Sequence, residues 1–513
     1  MDKYFLPVCT EIFSSSTEKT VLFEDTLPEY CPGIKKILKA DAITGIPEAL
    51  LSGGVINISV PCDMRLVYIA ENGNLKSVSF THSIDASFDA SRLASEYGDA
   101  AIYSKACASK VYAKPKSPRN FEAKLEVPIS VCAYVFEDTP LFTPDTSGDT
   151  ETICTEANMT ERSIAVSEGE ISDTVTLDSS LPAAAELIDR SLCLYDIKTK
   201  CEDGRLKYNG NSVFKCTYKT VETANNDGSE YIYLKKEIPF DGEIISDKIT
   251  KDSKAVIDTS LTALDVSLSS DPYGENRIIV ISASYSTHAE IFNLNEAKFT
   301  YDGFCSLYEC NFKSTVYCYD ELTDIIDKSA KMTEEIPING TNITEITDGE
   351  LKLGAYYTEH SNAGVYAVSK AYAVITGSDD KGEPVCIEHR FVIKQIIDET
   401  ALTSDRKYII CCKAMPIDVT LKDGTLNFEY AFKTDGAVLE KRCTTAISDA
   451  EIFYDKPKPA CRSEYIIYYP DKKETLWDIA KKYEIPQKKL AEANGIDESQ
   501  TLSRKTVLIP CAL

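Results

Sequence analysis

The chain has 513 residues, 43% of them hydrophobic, and this length and composition predict three or four globular domains with ordinary cores. The 55 basic and 81 acidic residues give a formal net charge of −26, which disfavours binding to nucleic acid and to anionic lipid. No stretch approaches the roughly 18 apolar residues of a membrane span, and the first residues lack a signal-peptide pattern, so we expect a cytoplasmic protein without membrane insertion.

The cysteines form no recognisable site pattern. Eighteen of them are scattered along the chain, singly or as the pair Cys411-Cys412, without C-x-x-C spacing or a cysteine and histidine group at metal-ligand spacing. This favours reduced thiols in the cores over disulfides or metal ligands. The sequence therefore predicts no bound metal and no cofactor.

A repeat with an offset of about 150 residues occupies most of the chain. Val8-Cys9-Thr10-Glu11 precedes Leu27-Pro28, and Ile153-Cys154-Thr155-Glu156 precedes Leu181-Pro182. Alternating apolar and polar residues follow in both copies and, more weakly, between Val365 and Phe432, which is typical of antiparallel strands. The pattern predicts a mainly β protein of tandem β-sandwich-like repeats with minor helices.

One minor helix is expected after each Leu-Pro pair. Pro32 stands near the start of such a segment, and Ile34, Ile37 and Leu38 have the spacing of one helix face.

Composition suggests where the repeats end. We predict repeat 1 at 1–136, an acidic Ser/Thr-rich linker at 137–152, repeat 2 at 153–313, a degenerate repeat 3 at 314–454, a Pro/Lys linker at 455–463 and a C-terminal domain at 464–511. The units on either side of the first linker are expected to move relative to each other. Pro457 and Pro459 should end any strand in the second linker, so few contacts should cross it.

The last fifty residues predict a small β-α-α-β domain. In chain order we expect a strand at Tyr465–Tyr469, a helix capped by Thr475, a second helix that starts near Pro486 and stops at Asn494-Gly495, and a closing strand at Val507–Ile509. This segment resembles a LysM domain, a fold best known for binding glycan chains built on N-acetylglucosamine.

The LysM resemblance implies a groove between the loop before the first helix and the loop after the second. The candidate binding residues are Lys473, Glu474, Thr475, Leu476, Trp477, Asn494, Gly495 and Ile496. LysM domains usually have Gly-Asp where this chain has Lys473-Glu474, and losing a glycine there hinders close approach of sugar to the backbone. We therefore expect weak or absent sugar binding, and both glycan recognition and protein docking stay open. Trp477, the only tryptophan, fits either a packing role or a binding hot spot.

Tandem β-rich units followed by one LysM are similar to the SPOCS-domain proteins of spore-forming Firmicutes. The segments Pro32 to Leu38 and Ser117 to Glu122 carry the likeness in the first copy. The resemblance implies a spore-coat morphogenetic protein at the forespore surface of the mother cell. Its LysM would dock to the spore-coat basement ATPase, and its SPOCS units would assemble with other coat proteins.

No enzyme class is indicated by motif. The chain lacks the P-loop, H-E-x-x-H, G-x-S-x-G and G-x-G-x-x-G patterns, and its four histidines are expected to be structural, so we predict no catalytic residues. Two hypotheses follow. The favoured one is a non-catalytic scaffold of coat assembly; the alternative is a cell-envelope protein that binds peptidoglycan or another N-acetylglucosamine glycan, in association with wall hydrolysis.

Overall fold

The computed structural model describes residues 3–96, 100–142, 150–221, 230–338, 342–399, 406–422, 424–458, 465–471, 474–496 and 506–510. Within these ranges most residues lie in antiparallel strands, and the few helices are short. The prediction of a mainly β protein with a small helical C-terminal domain is confirmed.

Three successive parts of the chain, called units below, each form a pair of antiparallel sheets. The described elements of the first unit are β1 (Lys3–Thr26), β2 (Ile34–Thr44), β3 (Glu48–Ser52), β4 (Val55–Ala70), β5 (Leu75–Asp89), α1 (Ser91–Glu96), β6 (Ala101–Ala106), β7 (Lys110–Pro115) and β8 (Asn120–Phe142). The second contains β9 (Thr150–Thr176), β10 (Ala184–Glu202), β11 (Arg205–Thr220), β12 (Tyr231–Ile245), β13 (Lys254–Ser270) and β14 (Asn276–Cys305). The third contains β15 (Tyr308–Pro337), β16 (Glu345–Ser361), β17 (Gly364–Ser378), β18 (Pro384–Asp398), β19 (Arg406–Lys422) and β20 (Thr425–Pro457).

The units share one topology. The second has sheets ordered β10-β11-β12 and β13-β14-β9, and the third repeats this as β16-β17-β18 and β15-β20-β19. In the first unit β2 and β3 together take the place of β10, and β6 and β7 together take that of β13. The third unit, expected to be degenerate, thus keeps the complete strand order.

Each unit buries its own core between its two sheets. Tyr68 and Phe121 are fully buried in the first unit, Phe214 and Tyr285 in the second, and Phe428 in the third. Burying one large apolar side chain contributes roughly 1.5–3 kcal/mol, so three separate cores give each unit its own source of stability.

The predicted helix after each Leu-Pro pair is wrong, because β2 and β10 occupy those positions. Register shifts follow Ile34 and Ile37 in β2, and equivalent shifts follow Ala184 and Leu187 in β10. Each shift puts an extra residue into the strand, as a β-bulge does. Because of the extra residue, successive apolar side chains that face the core are three positions apart in sequence rather than two. This spacing resembles that of one face of a helix.

An arginine at the start of the last strand has the same role in the first and second units. Arg119 donates hydrogen bonds to the carbonyl oxygens of Leu27 at 3.0 Å and Pro28 at 2.7 Å. Arg277 donates to the carbonyl of Leu181 at 2.7 Å in the second unit. The arginine satisfies turn carbonyls that no strand partner reaches, which explains why both motifs recur together.

Both predicted linkers are partly strand. Residues 137–142 belong to β8 and 150–152 to β9, which pairs with β14 along its whole length, since Ser and Thr side chains are compatible with strand structure. Residues 455–457 continue β20, where Pro457 lies opposite Tyr308 at the strand end, a position that tolerates proline. Residues 143–149 and 459–463 lie outside the described residues.

The expectation that all cysteines are reduced is also wrong. Cys318 and Cys443 form a disulfide between β15 and β20. They face each other directly in the antiparallel register, with Cα atoms 4.1 Å apart. Their positions, 125 residues apart in sequence, become neighbours only through this strand pairing.

The units contact one another in a head-to-tail order. Arg65 of the first unit forms an ion pair with Asp189 of the second at 3.0 Å. Lys215, the second unit's residue at the equivalent strand position, forms one with Asp348 of the third at 2.7 Å. The same type of contact thus joins unit one to two and unit two to three.

Lys39 of the first unit contacts both other units, so the three units form a closed ring. Its ammonium lies 2.8 Å from Asp189 of the second unit and 2.8 Å from Glu350 of the third. Burial alone would lower the pKa of Lys39, but the charges of the two carboxylates outweigh burial and raise it. Removing one member of such a buried pair typically costs about 3–5 kcal/mol, so the ion pairs fix the arrangement of the units.

Candidate functional site

The C-terminal domain has the predicted β-α-α-β order. Its elements are β21 (Tyr465–Tyr468), α2 (Leu476–Tyr483), α3 (Gln487–Asn494) and β22 (Val507–Pro510). The strands pair antiparallel, and Ile479, Leu490 and Ile509 are fully buried in the domain's core. Helical spacing in α2 and the proline before α3 therefore predicted this part of the fold correctly.

Thr475 begins α2 with a capping box. Its hydroxyl accepts a hydrogen bond from the Asp478 amide at 3.2 Å, while the Asp478 carboxylate accepts from the Thr475 amide at 2.8 Å. Such caps stabilise a helix by about 1 kcal/mol. Thr475 is thus engaged in holding the helix.

Glu474 closes the loop that precedes the helix. Its carboxylate accepts hydrogen bonds from the Tyr468 hydroxyl at 2.8 Å and the Asp471 amide at 2.9 Å. Lys482 donates to the same hydroxyl at 2.9 Å. The amide of Asp471, followed by the Tyr468 hydroxyl, holds the pKa of Glu474 below its usual range. The neighbouring candidate, Lys473, lies outside the described residues.

Asn494 ties the end of α3 to the closing strand. Its Nδ2 donates to the carbonyls of Leu490 at 2.8 Å and Leu508 at 2.7 Å, and its Oδ1 accepts from the Leu508 amide at 2.7 Å. Gly495 follows in the left-handed conformation, with φ of 59°, and ends the helix. Ile496 packs half-buried against the domain's core.

Trp477 faces the second unit. Its ring lies 5.3 Å from that of Phe304 near the end of β14, and its Nε1 donates a 2.9 Å hydrogen bond to Asp302 Oδ2. Lys481 donates to the other oxygen of Asp302 at 2.6 Å. Trp477 is only 7% exposed, so this docking covers the side chain proposed as a binding hot spot. Leu476 is buried in the same apolar cluster.

A second contact supports the docking. Lys458 bridges the Cys305 carbonyl at 2.7 Å and Glu484 Oε1 at 2.7 Å, and Ile153 packs against the same apolar cluster. The expectation of few contacts across 455–463 is therefore wrong. The contacts join residues far apart in sequence, and no local pattern signals them.

The outer face of the β21–β22 sheet is apolar and exposed. Tyr465 is 60%, Ile467 61% and Leu508 40% exposed, and Ile467 lies opposite Leu508 in the register. Tyr469, the residue that follows β21, is 77% exposed. The alternation of β21 could have identified this face, because every second residue points outward. We call Tyr465, Ile467, Tyr469 and Leu508 the outer face.

The eight candidate residues thus have unequal surroundings. The polar groups of Glu474, Thr475 and Asn494 form hydrogen bonds within the C-terminal domain. The indole of Trp477 donates a hydrogen bond to Asp302 of the second unit. Gly495 is exposed and carries no side chain.

Among the described residues no three His, Cys, Asp or Glu side chains are grouped to hold a metal ion. The helices of the described ranges are all too short or too polar to cross a bilayer.

Comparison with known proteins gives one match. Residues 472–509 match the LysM domain family. No curated protein and no solved structure matches the chain. The C-terminal segment is thus a LysM domain, a non-catalytic binding module.

Proposed function

We propose that the protein is a non-catalytic scaffold that attaches to another protein through the outer face of its LysM domain. The observation that carries this proposal is the exposure of Tyr465, Ile467 and Leu508 side by side on one small sheet. Grouped aromatic and aliphatic side chains on a surface favour protein contact, and tyrosine is enriched at binding hot spots.

The surroundings of the groove also support protein docking over sugar. Glu474 stands where LysM domains usually have Asp, and its carboxylate is held by Tyr468 and Asp471. The Asn494 amide bridges α3 and β22. A glycan bound in this groove would have to compete with these internal hydrogen bonds for the same polar groups.

A more specific role comes from the SPOCS resemblance of the β-rich units. We propose assembly of the spore coat at the forespore surface of the mother cell, with the spore-coat basement ATPase as the partner of the LysM domain and other coat proteins as partners of the units. The alternative function is binding of peptidoglycan or another N-acetylglucosamine glycan, and the LysM family match favours it.

Binding of the purified full chain to the purified basement ATPase tests the docking. Ile467→Thr keeps a β-branched residue but removes apolar surface, and we expect at least tenfold weaker binding, because this side chain lies at the centre of the outer face. Lys489→Ala, on the exposed side of α3, is the matched control and should bind normally. Equal binding by both variants would rule out the outer face.

Two further measurements separate the hypotheses. Calorimetric titration of the full chain with chitooligosaccharide should show no binding in the low-micromolar range, and such an affinity would favour the glycan alternative. In sporulating cells a fluorescent fusion of residues 1–460 should be diffuse while the full-length fusion surrounds the forespore. A truncated fusion that still surrounds the forespore would assign attachment to the β-rich units.

A further inference from the structure

A cavity of about 430 Å³ lies where the three units meet. Strands of all three units line it, namely β2 and the end of β6 from the first, β10, β11, β12 and β13 from the second, and β16 and β19 from the third. Pockets that hold small organic ligands usually measure roughly 300–1,000 Å³. The cavity is therefore large enough for such a molecule and belongs to no single unit.

The walls of the cavity are mostly apolar. Side chains from all three units contribute, including Ile43, Leu194, Leu261, Leu353 and Met415. An apolar group bound there would be removed from contact with water, which favours binding.

A charged cluster interrupts these walls. Lys105 of the first unit and Lys413 of the third both form ion pairs with Asp258 of the second, the latter at 2.7 Å. The Tyr356 hydroxyl donates to the same carboxylate at 3.1 Å and accepts from Lys105 at 2.6 Å. All four residues line the cavity. Two ammonium groups thus share one carboxylate, which leaves one positive charge in excess.

Among the described residues, the other ion pairs between the units each match cations with an equal number of carboxylates, so the excess is specific to this cluster. Three cations meet three carboxylates in the neighbouring group formed by Lys39, Arg65, Lys352, Asp41, Asp189 and Glu350. The chain as a whole carries a net charge of −26, so a local positive excess is contrary to its general composition. An anion bound between the two ammonium groups would compensate this excess charge.

We propose that this cavity binds a small organic carboxylate with an apolar body. The carboxylate lies between Lys105 and Lys413, and the body lies against the apolar walls. Recognition needs both halves, because the ammonium groups supply charge-assisted hydrogen bonds and the walls supply apolar contact. The ligand would bridge all three units and stabilise the closed ring.

Calorimetric titration and thermal unfolding of the full chain test this with octanoate as the probe. Acetate has the anion without the body, and octanol has the body without the anion. We expect octanoate to bind at one site, to raise Tm and to bind at least tenfold more tightly than either control compound. Absence of saturable octanoate binding, or equal binding of octanol, would overturn the proposal.

Charge variants give a test with opposite signs. Lys105→Met leaves one lysine for one carboxylate and should weaken octanoate binding at least tenfold. Asp258→Asn adds one positive charge and should tighten it, and the double variant restores the original excess and should regain binding. Lys19→Met, an exposed lysine on β1, is the control and should bind normally. If Asp258→Asn fails to fold, Lys105→Met alone decides, and unchanged octanoate binding by that variant would refute the site.

Discussion

Removing Phe304 should detach the LysM domain from the second unit. Phe304 is 4% exposed and packs on Trp477 across this contact. Phe304→Ala removes the phenyl ring that the second unit contributes to this contact and changes no residue of the LysM domain. The LysM domain should therefore stay folded and lose its docking.

The structure gives the expected size of this effect. Phe→Ala in a packed site costs about 3–5 kcal/mol, and we take the lower value because water can refill a gap between two domains. A loss of about 3 kcal/mol shifts the docking equilibrium roughly 100-fold. The ion pair of Asp302 with Lys481 is partly exposed, with side-chain exposures of 28% and 46%, and such pairs contribute at most about 1 kcal/mol. Apolar packing therefore dominates the docking.

The single tryptophan provides the assay without labelling. Trp477 reports only on this contact, because no other tryptophan contributes to the fluorescence. We expect Phe304→Ala to shift its emission to longer wavelength and to increase quenching by acrylamide, while Asp302→Asn gives a much smaller change. Leu294→Ala, an exposed position on the same strand, should resemble the unchanged protein.

Two controls make the result decisive. Protease resistance of residues 474–496 distinguishes a detached but folded LysM domain from an unfolded one, and circular dichroism shows that the sheets persist. Unchanged emission and quenching in Phe304→Ala would mean that the ring does not hold the domain, and the reasoning would fail.

Further predictions concern acid and reduction. Burial of Asp302 would raise its pKa, but hydrogen bonds from Lys481 and the indole outweigh burial and hold it below 3.8. The stabilisation from this carboxylate is therefore complete above pH 3.8 and is lost as the pH falls through the lowered pKa, so tryptophan fluorescence should show a small weakening of the docking in acid, and Asp302→Asn should abolish that pH dependence. Reduction of Cys318–Cys443, or replacement of both by Ala, should lower stability by about 2–4 kcal/mol, because the bond closes a separation of 125 residues. The lower Tm would be measured by calorimetry, and Cys310→Ser, a free thiol on the same strand, should leave Tm nearly unchanged.

The fold could be predicted from the sequence wherever the residues that determine an element are close together in the chain. The α2 helix follows from Thr475 and the spacing of Leu476, Ile479 and Ala480, since a cap and one buried face determine a short helix. The same reasoning failed at Ile34, because β-bulges change the strand period. A bulge depends on the partner strand, and the local sequence does not identify that partner.

The candidate site was less predictable for the same reason. Nothing near Trp477 in sequence indicates Asp302 or Phe304, which are more than 170 residues away. The pairing of Cys318 with Cys443 likewise depends on the register of β15 and β20. Both contacts form only after distant strands have been brought together, so local periodicity cannot signal them.

The three units share a topology but carry different charges at the positions where they contact one another, and the closed ring requires this difference. Arg65 and Lys215 occupy equivalent positions, opposite Asp41 and Ser191 in their registers, and each reaches an aspartate of the next unit. The third unit has the uncharged Val374 at this position, opposite Glu350. Lys39 supplies that charge from the first unit instead. Exchanging one unit for a copy of another would therefore leave a buried charge unpaired, and the order of the units is fixed by electrostatics rather than by their common fold.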